Sequence, residues 1–285
     1  MSQYSPTGFR LLTPVIKNLL IINALLFVAM ITLNKAGIDL TAMLGLHYPG
    51  AADFRVWQFV TYMFMHGGFA HIFFNMFALW MFGNVLESVW GSRRFLTYYM
   101  VTGLGAGLIY VIWIHFTLSP QLSLINHVIS DPSIGNLSEL IHQHRFAVNE
   151  YSGAIWNDFL LFQKNVNAYT LNPDNHLAAQ KIVTFLSEYR AYFLNQHVVV
   201  GASGAVFGLL LAFGMMFPNS LIYVYFAIPI KAKWFVILYG AMELFSGIYN
   251  RPGDNVAHFA HLGGMLFGYL IIVYWKKKGT LFNAY

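Results

Sequence analysis

The sequence contains no cysteine. That absence excludes a disulfide framework, a thiol nucleophile and any Cys-ligated zinc, so chemistry must rest on Ser, His, Asn, Tyr or carboxylates. Charge is scarce as well. Asp, Glu, Lys and Arg make up 9% of the 285 residues, against roughly a quarter in a soluble domain, while 58% of the residues are hydrophobic. These proportions describe an integral membrane protein. The 16 Lys+Arg exceed the 11 Asp+Glu, but no run of basic and aromatic residues suggests a nucleic-acid partner, and topology explains the surplus better. No internal repeat and no low-complexity tract is present.

Apolar segments of roughly 17–25 residues can span a bilayer. Six stretches meet or approach that length, at about 15–34, 67–88, 94–116, 199–217, 234–249 and 256–275. The first follows Arg10, carries Lys17 at its edge and lacks a small-residue cleavage site, so it reads as a retained helix and not a signal peptide. With the N-terminus in the cytoplasm, the inner side receives Arg10, Lys17, Arg93, Arg94, Lys231, Lys233 and Lys276 to Lys278. The outer short loops receive only Lys35, Arg55 and Arg251. This bias favours cytoplasmic N- and C-termini.

Between the third and fourth spans, residues 117–197 break the composition. SDPSIGN ends at Asn136, and apolar residues at helical spacing follow over about 137–168 and 175–195. Amphipathic helices on the outer face or at the interface are expected there. The predicted fold is all-α, a polytopic membrane protein with a six-helix transmembrane bundle and an extracytoplasmic helical insertion between spans three and four. Its parts are 1–116 (N-terminal tail and spans one to three), 117–197 (insertion) and 198–285 (spans four to six and a basic tail).

In this topology spans two, four and six all start at the outer side, and each starts with a polar cluster. Span two opens HGGFAHIFFN, with His66, His71 and Asn75; span four opens VVVGASGAVFG, with Ser203; span six opens DNVAHFAHLGG, with Asp254, His258 and His261. Counting from the apolar boundaries, Ser203 and His261 both lie about 6–9 Å below their helix starts at ~1.5 Å per residue. His71 and Asn75 share one helix face. Gly204 and Gly208 in span four, like Gly264 and Gly268 in span six, have the small-residue spacing that lets membrane helices pack closely.

A neutral imidazole can take a serine's proton. Donors from His71, Asn75 and the Ser203 backbone could hold an oxyanion. A lone serine in a span is usually a packing residue bonded to its own helix, and a lone histidine at a span end is usually interfacial. Convergence of Ser203, His261, His71 and Asn75 at one depth favours chemistry. His66 lies nearer the interface and also reads as a structural tie for the first outer loop, and His258 as a rim residue. A four-imidazole metal site built from His66, His71, His258 and His261 is the competing reading, but such a site usually recruits a carboxylate or thiolate, and with no cysteine Asp254 is the only acid expected nearby. Asp254 is two turns above His261, about 10 Å along the axis and too far for a direct bond, so a Ser-His dyad is expected. Glu243 in span five and Glu87 at the inner end of span two read as structural, because they are counted as distant from the outer cluster.

Together the motifs resemble those of the rhomboid family of intramembrane serine proteases. That family has His-x4-His-x3-Asn on span two, Gly-x-Ser-Gly on span four and Ala-His-x2-Gly-x3-Gly on span six. Here these read HGGFAHIFFN (His66 to Asn75), GASG (Gly201 to Gly204) and AHLGGMLFG (Ala260 to Gly268). The resemblance covers about 15–116 and 199–275, one rhomboid domain over about 15–275. It implies a serine-type endopeptidase with Ser203 as nucleophile and His261 as general base. His71 and Asn75 would line the oxyanion hole, His66 would anchor the first loop, and Phe207 would pack on the imidazole. Gly201, Gly204, Gly264 and Gly268 would support the close approach. No cofactor and no metal is implied.

The implied partners are single-span transmembrane proteins, cut near the outer end of the helix, and the lipid bilayer; a homo-oligomer is compatible with this. Many bacterial relatives have Trp-Arg in the first outer loop where this chain has Trp57-Gln58, and the insertion is much longer than the usual link. We expect the insertion to help select substrates and Ser246 to Asn255, with Pro252 and Gly253, to act as a lid. The lack of a targeting presequence and the basic tail lean toward a bacterial inner membrane, with the site facing outward. A non-catalytic family member that binds membrane helices, and a His-lined transporter or metal site, are the other functional classes.

Overall fold

The computed structural model describes residues 12–224, 227–249 and 256–281, which are mostly helical. Among them, the helices of ten residues or more are α1 (Pro14–Asn34), α2 (Phe69–Trp90), α3 (Ser92–Ser130), α4 (Ile134–Gln143), α5 (Ala154–Leu171), α6 (His176–Asn195), α7 (Ser203–Met216), α8 (Ala232–Tyr249) and α9 (His258–Lys277). Helices α1, α2, α3 and α9 are long and apolar enough to cross a membrane; α7 is apolar but only 14 residues long. A small antiparallel ribbon, Leu221–Val224 with Ile228–Lys231, lies between α7 and α8 in the chain. Leu25 and Val28 on α1, Phe73 and Phe74 on α2, and Phe245 and Ile248 on α8 are more than half exposed. Such an outward apolar surface suits contact with lipid tails, which are as apolar as leucine.

The chain forms two compact units. One takes in residues up to Leu46, Arg55–Val111 and Val199 onward; the other takes in His47–Phe54 and Ile112–Val198. In the first unit, α1 starts at Pro14, whose missing N–H costs nothing at a first helical position. The next free N–H groups are satisfied from a neighbouring helix. Glu87, near the end of α2, accepts from Val15 and Ile16 N–H at 3.0 Å and from the Thr13 and Ser92 hydroxyls. Thr13 N–H donates to Asn84 Oδ1 at 3.0 Å. A buried carboxylate thus caps a helix other than its own, the structural role expected of Glu87.

Three sequence-based boundaries move. Helix α3 does not stop near 116 but continues through Pro120 to Ser130. Proline removes one helical hydrogen bond, but buried Leu118, Ile125 and Val128 flank it and hold the helix against its neighbours. The expected helix over 137–168 is two helices, α4 and α5, because 144–153 leave the helical path and Gly153 turns at φ 71. The start of α7 also moves.

In the second unit Ser133 and Asn175 cap α4 and α6 by accepting from Asn136 and Ala178 N–H. The core is aromatic, with Phe162 and Phe185 rings 4.6 Å apart and Phe146 against Tyr189 at 4.9 Å. His144 is built into it. Its Nδ1–H donates to Gln121 Oε1, and Nε2 accepts from the Tyr189 hydroxyl at 2.8 Å, which itself accepts from Ala147 N–H. This arrangement needs a neutral imidazole.

Burial holds His144 and His197 below the usual imidazole range. In the first unit burial, with neighbouring His71 adding to it, pushes His66 down to about 4. The unfolded chain therefore protonates first on acidification, so the stability these groups give is full above about pH 6.5 and is lost as pH falls. The thermal midpoint of the solubilised protein should drop between about pH 7 and pH 5, with a shallower slope in His144→Phe. An unchanged slope in that variant would remove His144 as a contributor.

Candidate active site

Helix α7 begins where an extended run ends. Gly201 has φ 126, a conformation strained for any residue with a β-carbon, and its N–H donates to the Tyr62 carbonyl at 2.9 Å. Ser203 is therefore the first residue of its helix and not four or five residues inside it, as the apolar run suggested. The unpaired N–H groups and positive dipole end of α7 are placed beside its hydroxyl as a result.

A β-carbon on Gly201 would lie 2.8 Å from His71 Cε1 and Nε2 and 3.6 Å from Ser203 Oγ. The His71 ring thus packs on the Gly201 backbone next to the serine. Gly67 N–H donates to His71 Nδ1 at 3.3 Å, which in a neutral ring leaves the proton on Nε2, on the ring edge that faces Gly201. Asn75, one turn on and buried, donates from Nδ2 to the His71 carbonyl at 2.9 Å; its amide carries a second hydrogen. His66 is 1% exposed, and its ring meets His71 edge-on at 5.1 Å.

From α9, His261 points Nε2 at Ser203 Oγ, 2.8 Å away. Phe207, one turn along α7, lies flat on the imidazole at 4.2 Å and 7° between planes, and Tyr239 of α8 stacks on Phe207 in turn at 5.0 Å. Glycine makes the helix approach possible. A β-carbon at Gly264 would sit 1.8 Å from the Gly204 carbonyl oxygen, and one at Gly204 would sit 2.4 Å from Ala106 Cβ. Gly268 leaves room for the Tyr98 hydroxyl, which donates to the Gly208 carbonyl at 2.8 Å.

Glu243 requires a correction. Counted as distant from the outer cluster, it is instead in contact with it: His261 Nδ1 lies 2.8 Å and His258 Nδ1 2.7 Å from Glu243 Oε2, and the glutamate is 5% exposed. A depth count like that made for His261 finds it, since at ~1.5 Å per residue Glu243 is about 9 Å from the end of α8 at Tyr249. His258, expected at the rim, shares this contact with Glu243. Asp254, Pro252 and Gly253 lie outside the described residues.

A rhomboid domain model matches residues 53–126 and 175–278, more than half of the chain. The chain belongs to the rhomboid family. Among curated relatives, this rhomboid is 42% identical over 48 residues to Rhomboid protease GluP of Bacillus subtilis, covering 17% of this chain and 10% of that one. It is 33% identical over 73 residues to Rhomboid protease GlpG of Salmonella choleraesuis, covering 25% and 26%. An uncharacterized mitochondrial rhomboid protein of Schizosaccharomyces pombe is 25% identical over 237 residues, 79% of this chain and 53% of that protein. The chain thus spans between a tenth and about half of the length of these relatives.

The gap between the matched segments, 127–174, contains α4 and α5. Gln58, the departure from Trp-Arg, is fully buried; it accepts from Arg55 N–H at 3.0 Å and donates to the Met43 carbonyl at 3.3 Å, bracing the first loop of this rhomboid by neutral bonds. Among the described residues the metal-type side chains that converge are Glu243, His258 and His261, with ligand atoms within 4.8 Å of one another. Zinc held tetrahedrally at ~2.0–2.2 Å would set its ligand atoms about 3.3–3.6 Å apart. The observed 2.7 and 2.8 Å contacts are hydrogen bonds.

Proposed function

We propose that this rhomboid is an intramembrane serine endopeptidase that cleaves single-span transmembrane proteins near the outer face of the membrane. The observation that carries this is the 2.8 Å approach of His261 Nε2 to Ser203 Oγ at the start of an apolar helix. In the reaction His261 takes the Ser203 proton as Oγ adds to the scissile carbonyl. His71 Nε2–H, Asn75 and the first N–H groups of α7 stabilise the oxyanion. The imidazolium then gives its proton to the departing amine, and water, deprotonated by the same imidazole, releases the acyl group and restores Ser203.

Six spans with both termini in the cytoplasm fit this chemistry, with α7 and α8 as the fourth and fifth and the insertion 117–197 outside. A bacterial inner membrane is the setting proposed. Phe207 holds the imidazole flat, and the glycines of α7 and α9 hold the helices together. Family members that only bind membrane helices do not need both Ser203 and His261, which favours the hydrolase.

The test is labelling of purified, folded protein with a fluorophosphonate. The protein should label, and Ser203→Ala should abolish labelling. Absence of Ser203-dependent labelling would favour a helix-binding role. Chelator-sensitive function that survives Ser203→Ala would favour the metal or transport class.

A further inference from the structure

Among the described residues, Glu243 is a titratable group in direct contact with the base. Its Oε2 receives His261 Nδ1 at 2.8 Å and His258 Nδ1 at 2.7 Å, and the side chains are nearly closed to solvent, at 10% exposure for His261 and 6% for Glu243. An ionised carboxylate can only accept hydrogen bonds. Both contacts therefore place a proton on Nδ1. In the neutral His261 ring that leaves the lone pair on Nε2, the atom 2.8 Å from Ser203 Oγ. The other tautomer would point an N–H at the serine and disable the base.

We infer that Glu243 is a positioning residue, the third member of a Ser203–His261–Glu243 relay that sets the tautomer and orientation of His261 and stabilises its imidazolium. The inference rests on the serine-hydrolase reading above and replaces its two-residue catalytic unit with a three-residue one. Ser, His and acid come from three different helices, α7, α9 and α8. His258, one turn before His261, supplies a second donor to the same oxygen and so pins the carboxylate in the rotamer that meets the base. A buried anion with two donors on one oxygen is satisfied where it would otherwise be costly.

Glu243→Gln keeps the shape of the side chain and removes its charge. Its amide can rotate to donate toward Nδ1, which favours the wrong tautomer, and loss of a triad carboxylate by such a change costs up to about 10⁴-fold in kcat. The expected result is a fall of about 10²- to 10⁴-fold in kcat for a membrane substrate, with a parallel fall in fluorophosphonate labelling rate and little change in KM. A residue that only braces the fold would instead lower the thermal midpoint and the fraction of labelled protein. Folded Glu243→Gln with unaltered kcat would overturn the inference.

A second measurement uses the unaltered protein and does not depend on the variant folding. Selective ¹⁵N labelling of histidine should give a strongly deshielded Nδ1 proton resonance that is absent in His261→Ala; its absence from the unaltered protein would equally overturn the proposal. If the unaltered protein shows that resonance but no Ser203-dependent labelling, the hydrolase reading fails while the carboxylate–imidazole bond stands. The two failures are therefore distinct.

Discussion

Ser203→Ala, His261→Ala and the double variant are each expected to reduce kcat for a reconstituted membrane substrate by about 10⁵- to 10⁶-fold, with no further loss in the double variant. In the proposed mechanism nucleophile and base act as one unit: with Oγ absent the imidazole has no proton to take, and with Nε2 absent the hydroxyl stays protonated. Cleavage in liposomes, followed on gels over long incubations, measures the three rates. Independent contributions would multiply, and multiplying losses, or near-normal turnover in Ser203→Ala, would sink the assignment of nucleophile and base. The oxyanion donors and the binding of substrate remain in all three variants, so a residual rate above the uncatalysed one is expected.

Gly264→Val should have a large effect although it adds no charge and removes no reacting atom. Its β-carbon would fall 1.8 Å from the Gly204 carbonyl oxygen, with the carbonyl carbon and Cα of Gly204 at 2.7 and 3.3 Å. All three are backbone atoms, which cannot rotate away. Helices α7 and α9 must separate, at the ~1–3 kcal/mol or more that overpacking costs, and separation also lengthens the Ser203–His261 bond. A lower thermal midpoint together with loss of labelling is expected. At Gly240 a β-carbon would meet only Met265 Cε at 3.2 Å and Sδ at 3.5 Å, ends of a flexible side chain, so Gly240→Ala is the mild comparison. Normal stability and labelling in Gly264→Val would contradict the packing described here.

Much of the site was legible because its groups announce themselves one element at a time. Ser203 and His261 stand in apolar helices beside glycine pairs, where a polar side chain is expensive and needs a reason. Glu243 was harder to read. It is a single acid with no motif around it, and its partners lie 15 and 18 positions further along the chain. Only comparison of its depth with that of His261 could reveal the contact. The start of α7 was misjudged for a different reason. Val198 to Val200 are apolar and continue the hydrophobic run, whereas the backbone there is extended and the turn at Gly201 resets the helix.

The second unit follows the same pattern. Ser133 and Asn175 mark helix starts as capping residues do, yet the break at 144–153 depended on His144 finding Gln121 and Tyr189, contacts between residues 23 and 45 positions apart. Amphipathic spacing locates helices but does not say where one pauses to build a polar core. In α3 the apolar run ends near 116, yet the helix continues through Pro120, because packing of Leu118, Ile125 and Val128 outweighs a single missing hydrogen bond.

Placing the carboxylate on α8 and the base on α9 makes an interlock. A hydrogen bond of 2.8 Å is spent once its atoms move apart by less than about 1 Å. Any excursion of α8 away from α9 would withdraw the acid from the base, and closure would return it. In the proposed hydrolase, the spacing of one helix pair would then decide when the base is armed.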